Sequence, residues 1–352
     1  MKRKLIESDN IVHKKRTKIN ISNNYICLSE TCNHTINKNN MDINEISTLD
    51  ELILLANQFS CINLMSYKNI NLRILNSLIP ILKELNEMVG LEQAKKQIIT
   101  HILYFLRGIG NMPCNLCIDC INNLPCILNI NDMFHTVITG PPGVGKTTFA
   151  KILGKIYSKL GKSNDKFNIV SRSQLVSGYL GRTAKKTQKA IDKSIGGVLF
   201  IDEAYSLGNT GEQDSYSKEC IDTINLNLSD NRNFVCIIAG YKEELEKCFF
   251  KINPGLERRF PFRYNILPYT PEELFLILIS KLEKEMWKIK DRDYLRKTIY
   301  NNYKYFNHYG GSMELLMLNI KLAQAVNINT VNKILNNDVI DKAIELFINN
   351  KL

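Results

Sequence analysis

The chain has 352 residues, of which 44% are hydrophobic and 23% are charged. This composition excludes a wholly disordered or fibrous protein, and the length is enough for about two domains. Lys and Arg exceed Asp and Glu by 11, but seven of the basic side chains lie within the first twenty residues. The rest of the chain is only mildly basic, which is not typical of a surface dedicated to nucleic acid.

Apolar runs in the sequence are short. The longest, Leu274–Ile279, is far below the roughly 18 residues that span a bilayer, and the basic N-terminus has no apolar segment like that of a secretory signal. We therefore expect an intracellular protein, cytoplasmic or nuclear, with no membrane partner. Its ten cysteines are expected to be thiols or metal ligands rather than disulfides. The abundance of Asn, Ile and Lys indicates an AT-rich genome, such as that of a large DNA virus.

The chain is predicted to begin with a basic leader over 1–41, mostly disordered, which is either a solvated tail or a nuclear-targeting or anion-binding segment. A helical segment is predicted over 42–87, with a kink at Pro80. From residue 88, short apolar strands alternate with amphipathic helices, which predicts a parallel sheet covered on both faces. The strands are predicted at 134–139, 167–171, 197–201 and 234–239, and the helices at 91–107, 146–160, 183–194 and 217–228.

A domain boundary is predicted near residue 268, so that an α/β domain covers 88–268, with a cysteine-rich insert at 111–130. Thr270-Pro271-Glu272-Glu273 is a helix start, with Thr as the N-cap, Pro in the first turn and a Glu that completes a capping box. Helical patterns continue to the end, interrupted at Gly310-Gly311. We therefore expect 269–352 to form a small all-helical domain.

A phosphate-binding loop is predicted at Gly140-Pro141-Pro142-Gly143-Val144-Gly145-Lys146-Thr147, which fits G-x-x-x-x-G-K-[ST] between a predicted strand and a predicted helix. Its glycines allow backbone N–H groups to surround a phosphate at a helix N-terminus. Lys146 is expected to contact the β- and γ-phosphates, and the Thr147 hydroxyl to bind Mg²⁺.

Two carboxylates, Asp202 and Glu203, follow the predicted strand 197–201. Asp202 is expected to bind the Mg²⁺ shell. Glu203 is expected to polarise the attacking water, a role that a hydrolase needs and a kinase does not. Together with the loop, the pair predicts a Mg²⁺-dependent ATPase.

The block MVGLEQAKKQI at 88–98 resembles the entry motif of AAA ATPases. Three further stretches resemble the CbxX/CfxQ family of these ATPases, and the likeness covers roughly residues 85–330. The three are LVSGYLGRTA at 175–184, GGVLFIDEAYSL at 196–207, and IIAGY at 237–241 followed by NPGLERRF at 253–260. The resemblance implies a P-loop core with a five-stranded parallel sheet and a helical lid. It also implies a ring, usually of six subunits, with ATP between neighbours.

The resemblance also implies roles for two surface loops. Arg259, with Arg258 in reserve, matches the arginine that reaches a neighbour's nucleotide, where such a group contributes about 10³–10⁵ in rate; the alternative is a pair that docks an acidic neighbour. Tyr179-Leu180-Gly181 resembles the pore loop of ring translocases, where an aromatic side chain can grip a peptide without reading its sequence. The alternative is a Tyr179 buried in the core at a helix start.

Two departures from the AAA pattern stand out. The predicted fourth strand ends in Ala239-Gly240-Tyr241, without the usual polar Asn or Thr, so no first sensor residue is assigned. Met313 occupies the place where relatives often offer an arginine to the γ-phosphate, so a lid arginine is not expected.

A cysteine cluster lies in the insert. Four thiolates over thirteen residues can close a tetrahedral Zn²⁺ site; they are Cys114, Cys117, Cys120 and Cys126. Free thiols and an iron–sulfur site stay open as alternatives, although the latter typically has a Pro after the last Cys. Cys27, Cys32 and His34 offer only three candidate ligands for a second site.

These features predict an ATP-hydrolysing ring that remodels a protein partner by pulling a segment through its pore. The basic leader leaves a nucleic-acid motor or clamp-loader-like ATPase as an alternative. It is not favoured, because the sequence has no RRM, helix-turn-helix or zinc-finger signature. A nucleotide-dependent scaffold with little turnover is a second alternative.

Overall fold

The computed structural model describes residues 20–21, 25–27, 46–58, 64–67, 70–109, 132–161, 163–179, 181–208, 215–230, 233–326 and 333–349. No helix within these ranges is long and apolar enough to cross a membrane. The fold has three parts, which are an N-terminal region, a central α/β core and a C-terminal lid.

The N-terminal region combines two helices with a small antiparallel sheet. Its strands pair in chain order and are β1 (Asn20–Ile21), β2 (Tyr25–Cys27), β3 (Leu64–Tyr67) and β4 (Ile70–Asn71). Helices α1 (Leu49–Asn57) and α2 (Leu72–Asn86) share one apolar core. The segment 42–87, predicted as helical, contains both helices but also the strands β3 and β4. Short apolar stretches do not distinguish a strand from a helix by periodicity. The leader likewise contributes two strands that its sequence does not predict.

Pro80 lies inside α2 without ending it. A proline removes one backbone hydrogen bond from a helix interior. Seven buried apolar side chains hold α2 against its neighbours, and such packing supplies most of the stability of a helix in a protein. The helix therefore tolerates the proline.

Five parallel strands form the central sheet, in agreement with the predicted fold class. They are β5 (Thr136–Thr139), β6 (Phe167–Val170), β7 (Val198–Ile201), β8 (Val235–Gly240) and β9 (Phe262–Asn265), and they pair in the order β6-β7-β8-β5-β9. Four of them match the predicted strands. β9 is an edge strand that the sequence patterns did not place.

Helices cover both faces of this sheet. They are α3 (Glu92–Leu106), α4 (Lys146–Lys159), α5 (Thr183–Ser194) and α6 (Ser215–Asp230), and each agrees with its predicted range to within two residues at either end. Alternate side chains of a strand point to opposite faces. Val137 therefore packs in the core beside α5 and α6, whereas Ile138 packs beside α3, α4 and the N-terminal helices.

The order of the strands determines where the site forms. The carboxyl ends of parallel strands meet at one edge of a sheet, and ligands bind there. The candidate phosphate loop follows β5, and the carboxylate pair follows β7. Only β8 lies between these two strands, so the two motifs converge at the end of β8.

The C-terminal lid is mainly helical, as predicted. Its helices are α7 (Pro271–Lys284), α8 (Arg292–Asn301), α9 (Tyr309–Val326) and α10 (Asn337–Asn349). The predicted capping box is confirmed, since the Thr270 and Glu273 side chains each accept the other's backbone N–H. The expectation of an all-helical region is wrong in one detail. Strands β10 (Lys288–Ile289) and β11 (Ile334–Leu335) form a parallel pair too short to show a sequence pattern.

A buried histidine makes the fold sensitive to acid. The Nδ1 atom of His135 accepts the Cys236 N–H at 3.0 Å. Burial, assisted by the positive charge of Arg259, lowers the pKa of His135 to about 4. An unfolded histidine titrates near 6.5, so the unfolded state binds more protons between these two values. The free energy of unfolding should therefore fall as the pH falls from about 6.5 to about 4, by up to about 1.4 kcal/mol per pH unit.

His135→Gln keeps an acceptor for the Cys236 N–H and removes the titration. Burial also lowers the pKa of His101 to about 4, so part of the acid sensitivity should remain in the variant. Melting temperatures measured between about pH 7 and pH 4.5 should decline less steeply for His135→Gln than for the wild type. Equal slopes would show that folding does not lower the pKa of His135.

Candidate functional site

The loop at residues 140–147 leaves β5 and enters α4, as its sequence pattern requires. Gly143 and Gly145 have φ values of 76° and 86°, which L side chains rarely adopt. A Cβ atom on Gly143 would also overlap the backbone carbonyl of His308. Gly145 is the N-cap of α4 and supplies no capping side chain. The first N–H groups of α4 therefore lack a side-chain cap, as in helix N-termini that bind a phosphate.

Lys146 folds back onto the loop. Its Nζ atom donates to the carbonyl oxygens of Gly140 at 2.9 Å and Pro141 at 2.8 Å. Burial lowers the pKa of Lys146, and the Asp202 and Glu203 carboxylates oppose that shift. The Nζ atom also lies 5.1 Å from the centroid of the Tyr241 ring. The ammonium group is thus held at the loop by hydrogen bonds to neutral carbonyl groups, and a negatively charged phosphate oxygen is a stronger acceptor that can replace them.

Thr147 and Asp202 meet although they are 55 residues apart in sequence. The Thr147 hydroxyl donates to Asp202 Oδ2 at 2.8 Å. Hydroxyl and carboxylate oxygens are the ligands that Mg²⁺ prefers, together with water and phosphate oxygens. The residues present therefore fit a Mg²⁺ ion at this point.

Glu203 has an exposed side chain and a left-handed backbone conformation, with φ of 50°. Its N–H donates to Asp202 Oδ1 at 3.1 Å. A non-glycine residue in this conformation is uncommon, and such residues cluster at functional sites. This turn points the two neighbouring carboxylates in different directions. Asp202 faces the loop, while Glu203 extends into the cavity beside it.

Two tyrosines that the sequence analysis did not assign link these groups. The rings of Tyr205 and Tyr241 stack with centroids 5.2 Å apart and planes inclined by 21°. Burial, and after it the Glu203 carboxylate, raises the pKa of Tyr205 far above its usual value. Lys146 lies over the Tyr241 ring, and Tyr205 lies beside Glu203. The tyrosine pair therefore spans the space between Glu203 and Lys146.

A cavity of about 580 Å³ opens between the core and the lid. This volume is within the range of small-molecule sites. Its walls are residues 87–89, most of the phosphate loop, the carboxylate pair, the two tyrosines, and side chains of α7 and α9. The predicted phosphate-binding residues and the predicted catalytic carboxylates therefore share one cavity.

The lid is attached directly to the phosphate loop. The Gly310 N–H donates to the Gly143 carbonyl at 3.0 Å, and the Tyr269 hydroxyl donates to the Val144 carbonyl at 3.0 Å. The Tyr303 hydroxyl in turn donates to the Tyr269 carbonyl at 2.7 Å. A change in the conformation of the loop must therefore move these lid contacts.

Met313, which by resemblance stands where relatives often offer an arginine, is completely buried in the lid core. The next residue, Glu314, lines the cavity. The helical pattern of α9 indicates this burial, because Leu316, Met317 and Ile320 lie on the buried face with Met313. Lys281 and Lys284 on α7 also line the cavity, and no local sequence motif marks them.

Arg258 and Arg259 lie on a single helical turn at the surface. Arg259 is half-buried, and its guanidinium donates from Nε to Ser229 Oγ at 2.7 Å and from Nη1 to the Gly255 carbonyl at 3.0 Å. Arg258 is exposed. Neither arginine is among the described residues that line the chain's own cavity.

The predicted pore loop lies between β6 and α5. Tyr179 is 69% exposed, which excludes the alternative that it is a core aromatic. The Arg182 guanidinium carbon lies 5.2 Å from the centroid of its ring. Gly181 has φ of 69°, and Leu180 lies outside the described residues.

The cysteine cluster at 114–126 also lies outside the described residues, as do Cys32 and His34. Within the described part of the chain, no group of three or more His, Cys, Asp or Glu side chains could hold a metal ion. The zinc, thiol and iron–sulfur alternatives for the cluster all stay open.

Comparisons with known proteins agree with this architecture. The family described as "ATPase family associated with various cellular activities (AAA)" matches residues 136–267. A cfxQ-like protein of Acanthamoeba polyphaga mimivirus is 42% identical over 298 residues, which are 82% of this chain and 67% of that protein. Stage V sporulation protein K of Bacillus subtilis is 34% identical over 219 residues, 59% of this chain and 64% of the relative.

A solved structure shares the fold at low sequence identity. A point mutant of RuvB from Thermotoga maritima superposes with a TM-score of 0.50 over 74% of this chain and 72% of that one, at 19% identity. This likeness concerns the fold alone.

Proposed function

The chain belongs to the AAA family of ATPases, in its CfxQ-like branch, and we propose that it hydrolyses ATP with Mg²⁺ at a site shared by two copies of the chain in a ring. We further propose that the ring, of six subunits by its resemblance, pulls a segment of a protein partner through its pore. The main observation that supports ATP hydrolysis is that one cavity is lined by Lys146, Thr147, Asp202 and Glu203.

Binding of the triphosphate follows from the loop. The β- and γ-phosphates would be surrounded by the N–H groups at the start of α4 and by the Lys146 ammonium. These donors are already in place, so the loop needs little rearrangement when the triphosphate binds. Thr147 and Asp202 would hold Mg²⁺. When bound, Mg²⁺ supplies neutralising charge to the phosphate oxygens.

Water activation is assigned to Glu203. Its carboxylate is exposed to the cavity and would orient a water molecule for in-line attack on the γ-phosphate, accepting a proton from it. The left-handed backbone at Glu203 supports this role because it separates the direction of this side chain from that of Asp202.

Arg259 is assigned to the neighbouring subunit's nucleotide. Its two hydrogen bonds, to Ser229 and Gly255, support this role because they fix the guanidinium on a surface turn. Its position outside the chain's own cavity supports an action on a second copy. Arg258 is the alternative donor on the same turn.

Tyr179 is assigned to the partner segment. An exposed aromatic side chain beside a glycine can contact an extended peptide through its ring face, whatever the peptide's sequence. The exposure of Tyr179 is the observation that supports this part of the proposal.

The threading proposal is tested with a substrate trap. The Glu203→Gln chain loaded with ATP should retain its protein partner, and the added substitution Tyr179→Ala should reduce the retained amount about tenfold or more, as expected for the loss of an aromatic anchor. Tyr300→Ala is the matched control, because Tyr300 is also exposed, at 61%, but lies on the lid. Equal retention by the two double variants would remove the gripping role of Tyr179.

A further inference from the structure

The lid presents a pair of opposite charges to the nucleotide cavity, Lys281 on α7 and Glu314 on α9. The Lys281 Nζ atom lies 3.0 Å from Glu314 Oε1. Both residues line the cavity that also contains the phosphate-loop lysine. We propose that Lys281 is the lid side chain that contacts the phosphates of the nucleotide, and that Glu314 holds it in place until they bind. This inference rests on the proposed function, because it requires ATP in the cavity.

Helix α9 begins at the phosphate loop and lines the cavity through Glu314. The Gly310 N–H bond to the Gly143 carbonyl fixes the start of α9 against the phosphate loop. Met313 points into the lid core, so the following residue, Glu314, is the one whose side chain reaches the cavity. The lid therefore offers a carboxylate where an arginine would favour a triphosphate.

The cavity is rich in negative charge. Glu87, Asp202 and Glu203 already contribute three carboxylates to it, and a triphosphate adds several negative charges. An unpaired Glu314 would repel the ligand. The ammonium of Lys281 offsets the charge of Glu314 while the cavity is empty. The Lys281 side chain is only 33% exposed, whereas that of Glu314 is 70% exposed. Solvent therefore screens the Glu314 carboxylate once Lys281 has moved to the phosphates.

Lys281 can exchange its bond to Glu314 for a bond to the phosphates. Ion pairs with an exposed partner are weak, so the bond between Lys281 and Glu314 is easily given up. A charge-assisted hydrogen bond to a phosphate is stronger than an ordinary one. Lys281 would therefore move from Glu314 to the phosphates when ATP binds and return when they leave. Because Lys281 lies on the lid helix α7, this exchange would couple nucleotide binding to the position of the lid.

The assignment predicts opposite effects for the two members of the pair. Lys281→Met should weaken ATP binding about tenfold, since it removes a charge-assisted bond, and should weaken ADP binding less. Glu314→Gln should tighten ATP binding severalfold, because it removes the competitor for Lys281. Lys281→Arg should restore most of the affinity for ATP.

The test is calorimetric titration of the 352-residue chain with ATP and with ADP, in a Glu203→Gln background that prevents turnover. Lys321→Met is the matched control, because Lys321 forms a similar lid ion pair with Glu285 at 2.7 Å and neither residue lines the cavity. Its affinities should equal those of the background. Thermal melting of each variant identifies any loss of folding, and the rescue by Lys281→Arg then decides the assignment.

Two results would overturn the assignment. One is an unchanged ATP affinity in Lys281→Met. The other is a loss in Glu314→Gln as large as that in Lys281→Met, which would make the pair a structural clasp. Failure of the ATP site on which the inference rests is distinguishable from both, since neither the wild-type chain nor the Glu203→Gln background would then bind ATP.

Discussion

Replacing Glu203 by Gln should lower ATP turnover by about 10²–10⁴-fold while ATP binding is retained. The amide has the same shape as the carboxylate but cannot accept a proton from the attacking water. The phosphate loop, Thr147 and Asp202 are left unchanged, so the triphosphate should still be held. Steady-state phosphate release and calorimetric ATP titration measure the two quantities separately.

Glu246→Gln is the control for this prediction, because Glu246 is also an exposed glutamate of the α/β core but does not line the cavity. Its turnover should match that of the wild type. Wild-type turnover in Glu203→Gln would show that another group activates the water. Loss of ATP binding in Glu203→Gln would show that the side chain serves the architecture of the site instead.

Replacing Arg259 by Ala should lower turnover about 10³-fold or more, because the developing charge on the transferred phosphoryl group loses its arginine. ATP affinity should change little, since Arg259 does not line the cavity of its own chain. Phosphate release and ATP titration again separate the two effects, and melting temperatures detect any loss of folding.

Two further variants show which side chains on the turn of Arg258 and Arg259 are needed for turnover. Arg258→Ala should retain turnover, and the opposite pattern, with Arg258 essential and Arg259 dispensable, would exchange the two roles. Ser229→Ala removes the bond that fixes the Arg259 Nε atom and should reduce turnover less than Arg259→Ala does. Full turnover in both arginine variants would contradict the assignment of the turn.

The central part of the site could be predicted because its motifs are local and its topology is regular. The phosphate loop follows one strand and Asp202 follows another, and parallel strands place their carboxyl ends at a common edge. The 2.8 Å contact between Thr147 and Asp202 is the outcome of that geometry. No side-chain detail is needed to expect the two residues near each other.

Other parts of the site depend on information that local patterns do not contain. Tyr205 and Tyr241 matter because their rings stack across two loops, and nothing in either segment indicates the other. Met313 is buried in the lid, whereas its neighbour Glu314 lines the cavity. One residue in a helix turns the side chain by about 100°, so a register error of one position exchanges a buried side chain for a cavity-facing one.

The N-terminal strands are hard to predict for a related reason. β3 and β4 are four and two residues long. They pair with each other, and β3 also pairs with β2 from a distant part of the chain. Strand pairing of this kind is a property of the folded chain. The apolar residues of these segments are equally compatible with a helix.

The most direct test of a site shared by two copies mixes the Glu203→Gln and Arg259→Ala proteins. Each alone should be nearly inactive. In a mixed ring, an Arg259→Ala subunit keeps its own Glu203 and can receive Arg259 from a Glu203→Gln neighbour, so turnover should rise well above that of either protein alone. If the mixture stays as inactive as its components although the subunits have exchanged, or if the wild-type protein hydrolyses ATP at its full rate as a monomer, the shared site is contradicted.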